Sequence, residues 1–143
     1  MTRTPDPAHL IHDQTNRISC AQPRLRIDLG HRVRLGPGKV DLLEAIGETG
    51  SISAAGRSLD MSYRRAWLLV DAVNSLFLRP VVIANTGGSH GGGAQLTDFG
   101  RALVAAYRRI EERTRIVIRE ELAVFENDLA PLDANQPDAE LPD

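Results

Sequence analysis

An α+β fold, mainly α, is expected for this chain: a winged helix-turn-helix followed by a long C-terminal helix. Gly50 to Phe77 (GSISAAGRSLDMSYRRAWLLVDAVNSLF) holds two amphipathic stretches, each opened by a serine, with Asp60-Met61 breaking the pattern between them. A glycine-rich run, TGGSHGGG, separates two short segments of strand character. From Thr97 a helical apolar period continues to about Glu126.

Length and composition narrow the choices. The 143 residues suffice for one cored domain with appendages, and with few aromatics that core should be aliphatic. The formal net charge of -2 would argue against a nucleic-acid partner, but the charge is unevenly placed. Asp128, Asp133, Asp138, Glu140 and Asp143 follow Glu126 with no lysine or arginine among them, and setting these five acids aside reverses the sign of the balance. Cys20 is the only cysteine, which excludes an internal disulfide and a cysteine-rich zinc site and fits a reducing compartment. His9 and His12 lack the companion ligands of a metal site, and no metal or cofactor is expected. The N-terminus has no long apolar stretch, and no segment reaches the roughly 20 apolar residues of a membrane helix. A soluble, cytoplasmic protein is expected.

Three regions follow in order. Residues 1–23, with Pro5, Pro7 and Pro23 and no sustained period, read as a flexible N-terminal arm. Residues 24–126 form the winged helix-turn-helix domain with its C-terminal helix, and residues 127–143 read as a disordered acidic tail. Within the domain, RLRIDLGHRVRL alternates with Leu25, Ile27, Leu29, Val33 and Leu35 on the apolar beat, a strand signature with a turn or bulge near Gly30-His31. Its arginines would face solvent or a phosphate chain. After Gly36-Pro37-Gly38, Val40, Leu42, Leu43 and Ile46 form the buried stripe of a first helix ending near Gly47 to Gly50, whose Asp41, Glu44 and Glu48 would line an outer surface.

Ser51 caps a short helix carrying Ile52, Ala54, Ala55 and Leu59, whose small residues permit close approach to a neighbour. Ser62 caps the next, whose apolar face is Ala66, Leu69, Val70, Val73, Leu76 and Phe77. The pair is a helix-turn-helix, an arrangement whose second helix can place its first turn against base edges in a DNA major groove. That turn carries Ser62, Tyr63, Arg64 and Arg65: hydroxyls and two guanidinium forks suited to guanine edges or phosphate oxygens, although a solvated helix face would carry the arginines equally well. Trp67 sits beside the apolar stripe, in the core or at its rim, or against a sugar or a thymine methyl.

Pro80 to Asn85 reads as a strand and Ala94-Gln95-Leu96 as its returning partner, with the glycines at the tip letting backbone approach a phosphate or a minor groove. Gly87 to Gly93 has neither the order of a Walker loop nor that of a dinucleotide fingerprint. No grouping of serine, histidine and acid makes a catalytic set, so an enzyme is not expected. Thr97 caps the long helix, with Asp98 well placed against its dipole. The helix carries Leu103, Tyr107, Ile110, Val117 and Val124 in one stripe and Ile118, Leu122, Phe125 and Leu129 in a second row. One small domain needs only one stripe, so Ile118, Leu122 and Phe125 are the expected homodimer interface, unless that row folds back on the N-terminal arm.

The run GPGKVDLLEAIGETGSISAAGRSLDMSYRRAWLLVDAVN, the glycine-rich segment and LTDFGRAL together resemble the N-terminal DNA-binding domain of the ModE-type molybdate-responsive transcription regulators, over roughly Leu25 to Tyr107, and more distantly the LysR-type winged helix. The resemblance implies a dimeric regulator of transcription that binds a palindromic operator in double-stranded DNA, linked to molybdenum metabolism. It implies Ser51, Ser53, Ser62, Tyr63, Arg64 and Arg65 in the helix-turn-helix, with Trp67 beside them, and Asn85, Thr86, Ser89 and His90 in the wing. Members of the family continue into oxyanion-binding domains that sense molybdate, whereas this sequence runs into its acidic tail, so direct molybdate sensing is not expected. The competing classes are a protein-protein interaction module acting through a partner regulator and an oxyanion-binding protein using the glycine-rich loop.

Overall fold

The computed structural model describes residues 16–30, 32–85 and 93–132. The sequence expectations for most of the N-terminal arm, for Thr86, Ser89 and His90, and for the tail beyond residue 132 lie outside the described residues. The described part is mainly helical, with two small antiparallel sheets and four α-helices, the last of them long. The chain divides into two compact units, Arg24–Glu112 and a second drawn from Met1–Pro23 and Arg113–Asp143.

The first unit opens with β1 (Ile27–Asp28) and β2 (Arg34–Leu35), paired antiparallel with Ile27 opposite Leu35. The alternating segment is therefore a small hairpin, turned where the Asp28 carboxylate accepts from the Gly30 N–H at 2.9 Å. Helix α1 (Pro37–Thr49) starts on Gly36 with proline in its first turn, where the missing N–H costs nothing. It ends on Gly50 in the left-handed conformation, whose N–H returns to the Ile46 carbonyl at 2.9 Å.

Helices α2 (Ile52–Ser58) and α3 (Tyr63–Leu76) are capped as their serines lead one to expect: Ser51 Oγ accepts from the Ala54 N–H and Ser62 Oγ from the Arg65 N–H, both at 3.1 Å. Between them Asp60 takes a positive φ and the Met61 N–H closes back on the Gly56 carbonyl at 2.8 Å. The helices approach so closely that a methyl group on Gly56 would lie 3.1 Å from the Ala66 Cβ. The small residues of this segment are what that approach requires.

Strands β3 (Val82–Asn85) and β4 (Gly93–Leu96) form an antiparallel hairpin in which Asn85 faces Gly93. Two contacts fix its base: the Ala94 N–H donates to the Gly50 carbonyl at 2.9 Å, and the Asn74 amide oxygen accepts from the N–H groups of Val81 and Val82. Helix α4 (Asp98–Leu122) begins on Thr97, whose Oγ1 accepts from the Gly100 N–H at 2.9 Å. The carbonyl of Val81 lies against Gly100, where an added Cβ would meet it at 2.3 Å. The α-helix stops at Leu122, short of the expected Glu126, and a 3-10 turn (Ala123–Asp128) follows.

The core of the first unit is aliphatic, built on Val40, Leu42, Leu43, Ile46, Ala66, Val70, Val73 and Val81, with Tyr107 as the one fully buried aromatic among the described residues and Phe77 and Phe99 packed against its edge. The α4 residues in that core are Val104 and Tyr107, whereas Ile110, Val117 and Val124 of the expected stripe are exposed. Tyr107 donates to the Leu25 carbonyl at 2.7 Å, which satisfies its buried hydroxyl. Burial, and then the nearby Glu111, hold that phenol above its ordinary pKa.

Asp41 and Glu44 do not simply line an outer surface. Arg108 reaches from α4 to both, donating from Nη2 to Asp41 at 2.7 Å and from Nε and Nη2 to Glu44 at 2.8 and 2.9 Å, and it also binds Glu111. The hydrogen bond from Arg108 holds the Glu44 carboxyl below the usual carboxylate range, against the opposing effect of burial. The guanidinium is correspondingly harder to deprotonate.

Candidate nucleic-acid interface

Ser51, at the start of α2, and Tyr63, in the first turn of α3, face the base of the β3–β4 hairpin across a groove of about 260 Å³. Ser53, Trp67 and Asn85 line the same groove. Five candidate residues from three separate stretches of sequence thus converge on one surface. Ser51 uses an oxygen lone pair to cap α2 and retains its O–H for an outside acceptor. Ser53 accepts from Arg57 Nη1 at 3.0 Å, which orients its hydroxyl.

Tyr63 and Trp67 stack edge to face, their centroids 6.1 Å apart and planes at 75°, and are 60% and 38% exposed. Trp67 is therefore a rim residue, and its ring adjoins the exposed Leu68 and Arg64 on the outward side of α3. That side offers an apolar surface, a phenol and a guanidinium within one helical turn, chemistry that matches thymine methyls and guanine edges.

Arg64 and Arg65, read together from the sequence, point to different places, as expected for neighbours about 100° apart around a helix. Arg64 flanks the Tyr63–Trp67 surface. Arg65 lines a second hollow of about 290 Å³ at the start of α1, with Arg26, Arg34 and Lys39. Burial, then the charges of Arg65 and Arg26, lower the pKa of the Lys39 amine. Sequence reasoning singled out none of Arg26, Arg34 and Lys39 individually; the alternating arginines of the first hairpin were the one available signal.

Ile118, Leu122 and Phe125 fall in the second unit. Leu122 and Phe125 are 42% and 53% exposed, and Ile118 is half-buried. Part of the N-terminal segment does fold back here: Ile18 is buried and its N–H donates to Glu126 Oε2 at 2.9 Å, while Arg17 donates to the Ala130 carbonyl at 2.6 Å. That contact leaves Leu122, Val124 and Phe125 exposed, together with Ile116 and Val117. Among the described residues no group of histidine, cysteine and acid is arranged to hold a metal ion, and no helix is long and apolar enough to cross a membrane.

No family model matches the chain. It is 55% identical over 78 residues to the molybdenum-pterin-binding protein MopB of Rhodobacter capsulatus, a match that covers 54% of this chain and 29% of that protein. It is 42% identical over 88 residues to the molybdenum transport protein ModE of Azotobacter vinelandii, covering 62% and 33%. It is 34% identical over 110 residues to the transcriptional regulator ModE of Haemophilus influenzae, covering 77% and 42%. The chain spans between 29% and 42% of the length of these relatives, and the similarities support a ModE-like character.

Proposed function

We propose that this chain binds double-stranded DNA in a sequence-specific way and regulates transcription linked to molybdenum. In this reading α2 and α3 act as a helix-turn-helix, the β3–β4 hairpin is the wing, and the first turn of α3 enters the major groove. The carrying observation is the groove that gathers Ser51, Ser53, Tyr63, Trp67 and Asn85 beside Arg64. Arg64 is its leading base reader, the Ser51 and Ser62 hydroxyls donate to phosphates, and Thr86, Ser89 and His90 extend the wing. Relatives named as ModE regulators and as molybdenum-pterin-binding proteins support both the regulatory role and the link to molybdenum. A second copy of the chain, joined through Ile118, Leu122 and Phe125, would match a palindromic operator.

The test is selection of bound sequences from random duplex DNA with the purified chain, followed by affinity measurement for Arg64→Ala. An enriched palindrome is expected, and the variant should bind it more weakly by about 1–3 kcal/mol with relaxed preference at the base it reads. A folded variant with unchanged affinity removes Arg64 from the reading set, and absence of any enriched sequence overturns specific binding.

A further inference from the structure

The hollow at the start of α1 is built for an anion. Its charged side chains come from separate stretches: Arg26 beside β1, Arg34 on β2, Lys39 on α1 and Arg65 on α3. No acid lines it. Among the described residues, none of Arg34, Lys39 and Arg65 makes an ion pair with a carboxylate. The like charges of Lys39 and Arg65 repel one another, and among the described residues no carboxylate pairs with either. The backbone adds to the same field: Gly36 supplies no side-chain cap to α1, whose positive end faces the hollow, and a side chain built on Gly38 would meet nothing within 4 Å.

We propose that this hollow is a cradle for a tetrahedral oxyanion, and that its occupant is a backbone phosphate of the duplex read by α3. This rests on the DNA-binding reading above and extends it to a site that carries no base information. Arg65 links the two, because it stands one residue from Arg64 on the same helix turn and yet points into the cradle. The phosphate gripped here would fix the register in which Arg64 and Tyr63 meet the bases.

Two variants test the cradle without removing a base reader. Lys39→Gln removes a repelled cation, and Gly38→Asp puts a carboxylate into open space in the first turn of a helix, where it favours the fold. Both are expected to keep or raise the thermal midpoint, to weaken binding about tenfold on selected and random duplexes alike, and to make the slope of log affinity against log salt shallower by about 0.9. The enriched sequence should not change. A lowered midpoint in both variants would mark these positions as structural and overturn the cradle. Unchanged affinity and slope, in a chain whose wild type binds its selected site, overturn the cradle and leave the DNA-binding reading standing; a changed base preference overturns it as well. Wild-type protein without salt-dependent duplex binding sinks that reading and the phosphate assignment with it. In a separate arm without DNA, inorganic phosphate and molybdate are titrated by calorimetry. No saturation is expected, and a dissociation constant below about 1 mM that is lost in Lys39→Gln would reassign the hollow to a free oxyanion and overturn the phosphate proposal.

Discussion

Helix α4 is one unbroken run of 25 residues whose two ends live in different environments. In its first half Gly100, Val104 and Tyr107 are buried and Arg108 is tied to Asp41, Glu44 and Glu111. From Arg113 onward no residue of the helix is buried, and Ile116, Val117 and Leu122 are 44%, 53% and 42% exposed. A helix of this length spans about 37 Å, more than a single small core can cover. Apolar spacing therefore records that a face is meant to be covered and not what covers it. The first half is covered within Arg24–Glu112; the second half keeps an apolar row of the kind that proteins rarely leave to solvent.

Substitution at Tyr107 tests that contrast most sharply. Its ring is 1% exposed and its hydroxyl satisfies the Leu25 carbonyl, so Tyr107→Ala should cost about 3–5 kcal/mol in chemical denaturation. Phe125→Ala, a comparable truncation in the exposed row, should change the stability of the isolated chain by no more than about 0.5 kcal/mol. Similar losses at the two positions would mean that the buried half of α4 and the exposed row that runs from its second half into the 3-10 turn are not energetically distinct.

A smaller effect belongs to Arg108, whose carboxylate partners are partly exposed and therefore screened. Arg108→Met should cost about 1–2 kcal/mol at neutral pH. Its pH signature is more discriminating. The Glu44 carboxyl is held below its ordinary value of 4.5 by the hydrogen bond from Arg108. A depressed folded-state pKa contributes stability that is complete above the unfolded value and is lost as the pH falls through the folded one. Wild type and variant should thus converge as the pH is lowered from 5 through the acid limb, about where a carboxylate protonates. A constant difference across that range would show that Arg108 acts by packing rather than by charge.

These contrasts also mark what the sequence made legible. The capping roles of Ser51, Ser62 and Thr97 were readable because a cap is satisfied within three residues of itself. The stripe on α1 and the pairing of β3 with β4 were readable for the same reason: each is a local period or a short return. What escaped depends on distance along the chain or on helical phase. Arg108 meets Glu44 across 64 positions, and Lys39 meets Arg26, Arg34 and Arg65 only once four separate stretches of the chain have packed. Val104 turns inward and Ile110 does not, and Val104 shares its helix face with Gly100, where the Val81 carbonyl approaches closely. Of the candidate interface, the residues were named but not their division: neighbours on a helix face different ways, so Arg64 joins the Tyr63–Trp67 surface and Arg65 the cationic hollow.

The smallest effect on the fold, and the one that decides what the exposed row at the end of α4 and in the following 3-10 turn is for, is expected from Leu122→Glu combined with Phe125→Glu. Both side chains are exposed, so charging them should leave the denaturation midpoint of dilute protein within about 0.5 kcal/mol of wild type. If the row joins two copies, the paired substitution buries four like charges across a two-fold axis, and sedimentation should show dimers becoming monomers. Affinity for a palindromic duplex should fall while affinity for a half-site is retained, because each copy keeps its own Arg64 and Tyr63. Dimers that persist with both glutamates in place would exclude this row as the seam. A monomeric wild type would exclude the seam as well, because the contact of the Ile18 N–H with Glu126 leaves Leu122 and Phe125 exposed and does not account for the row.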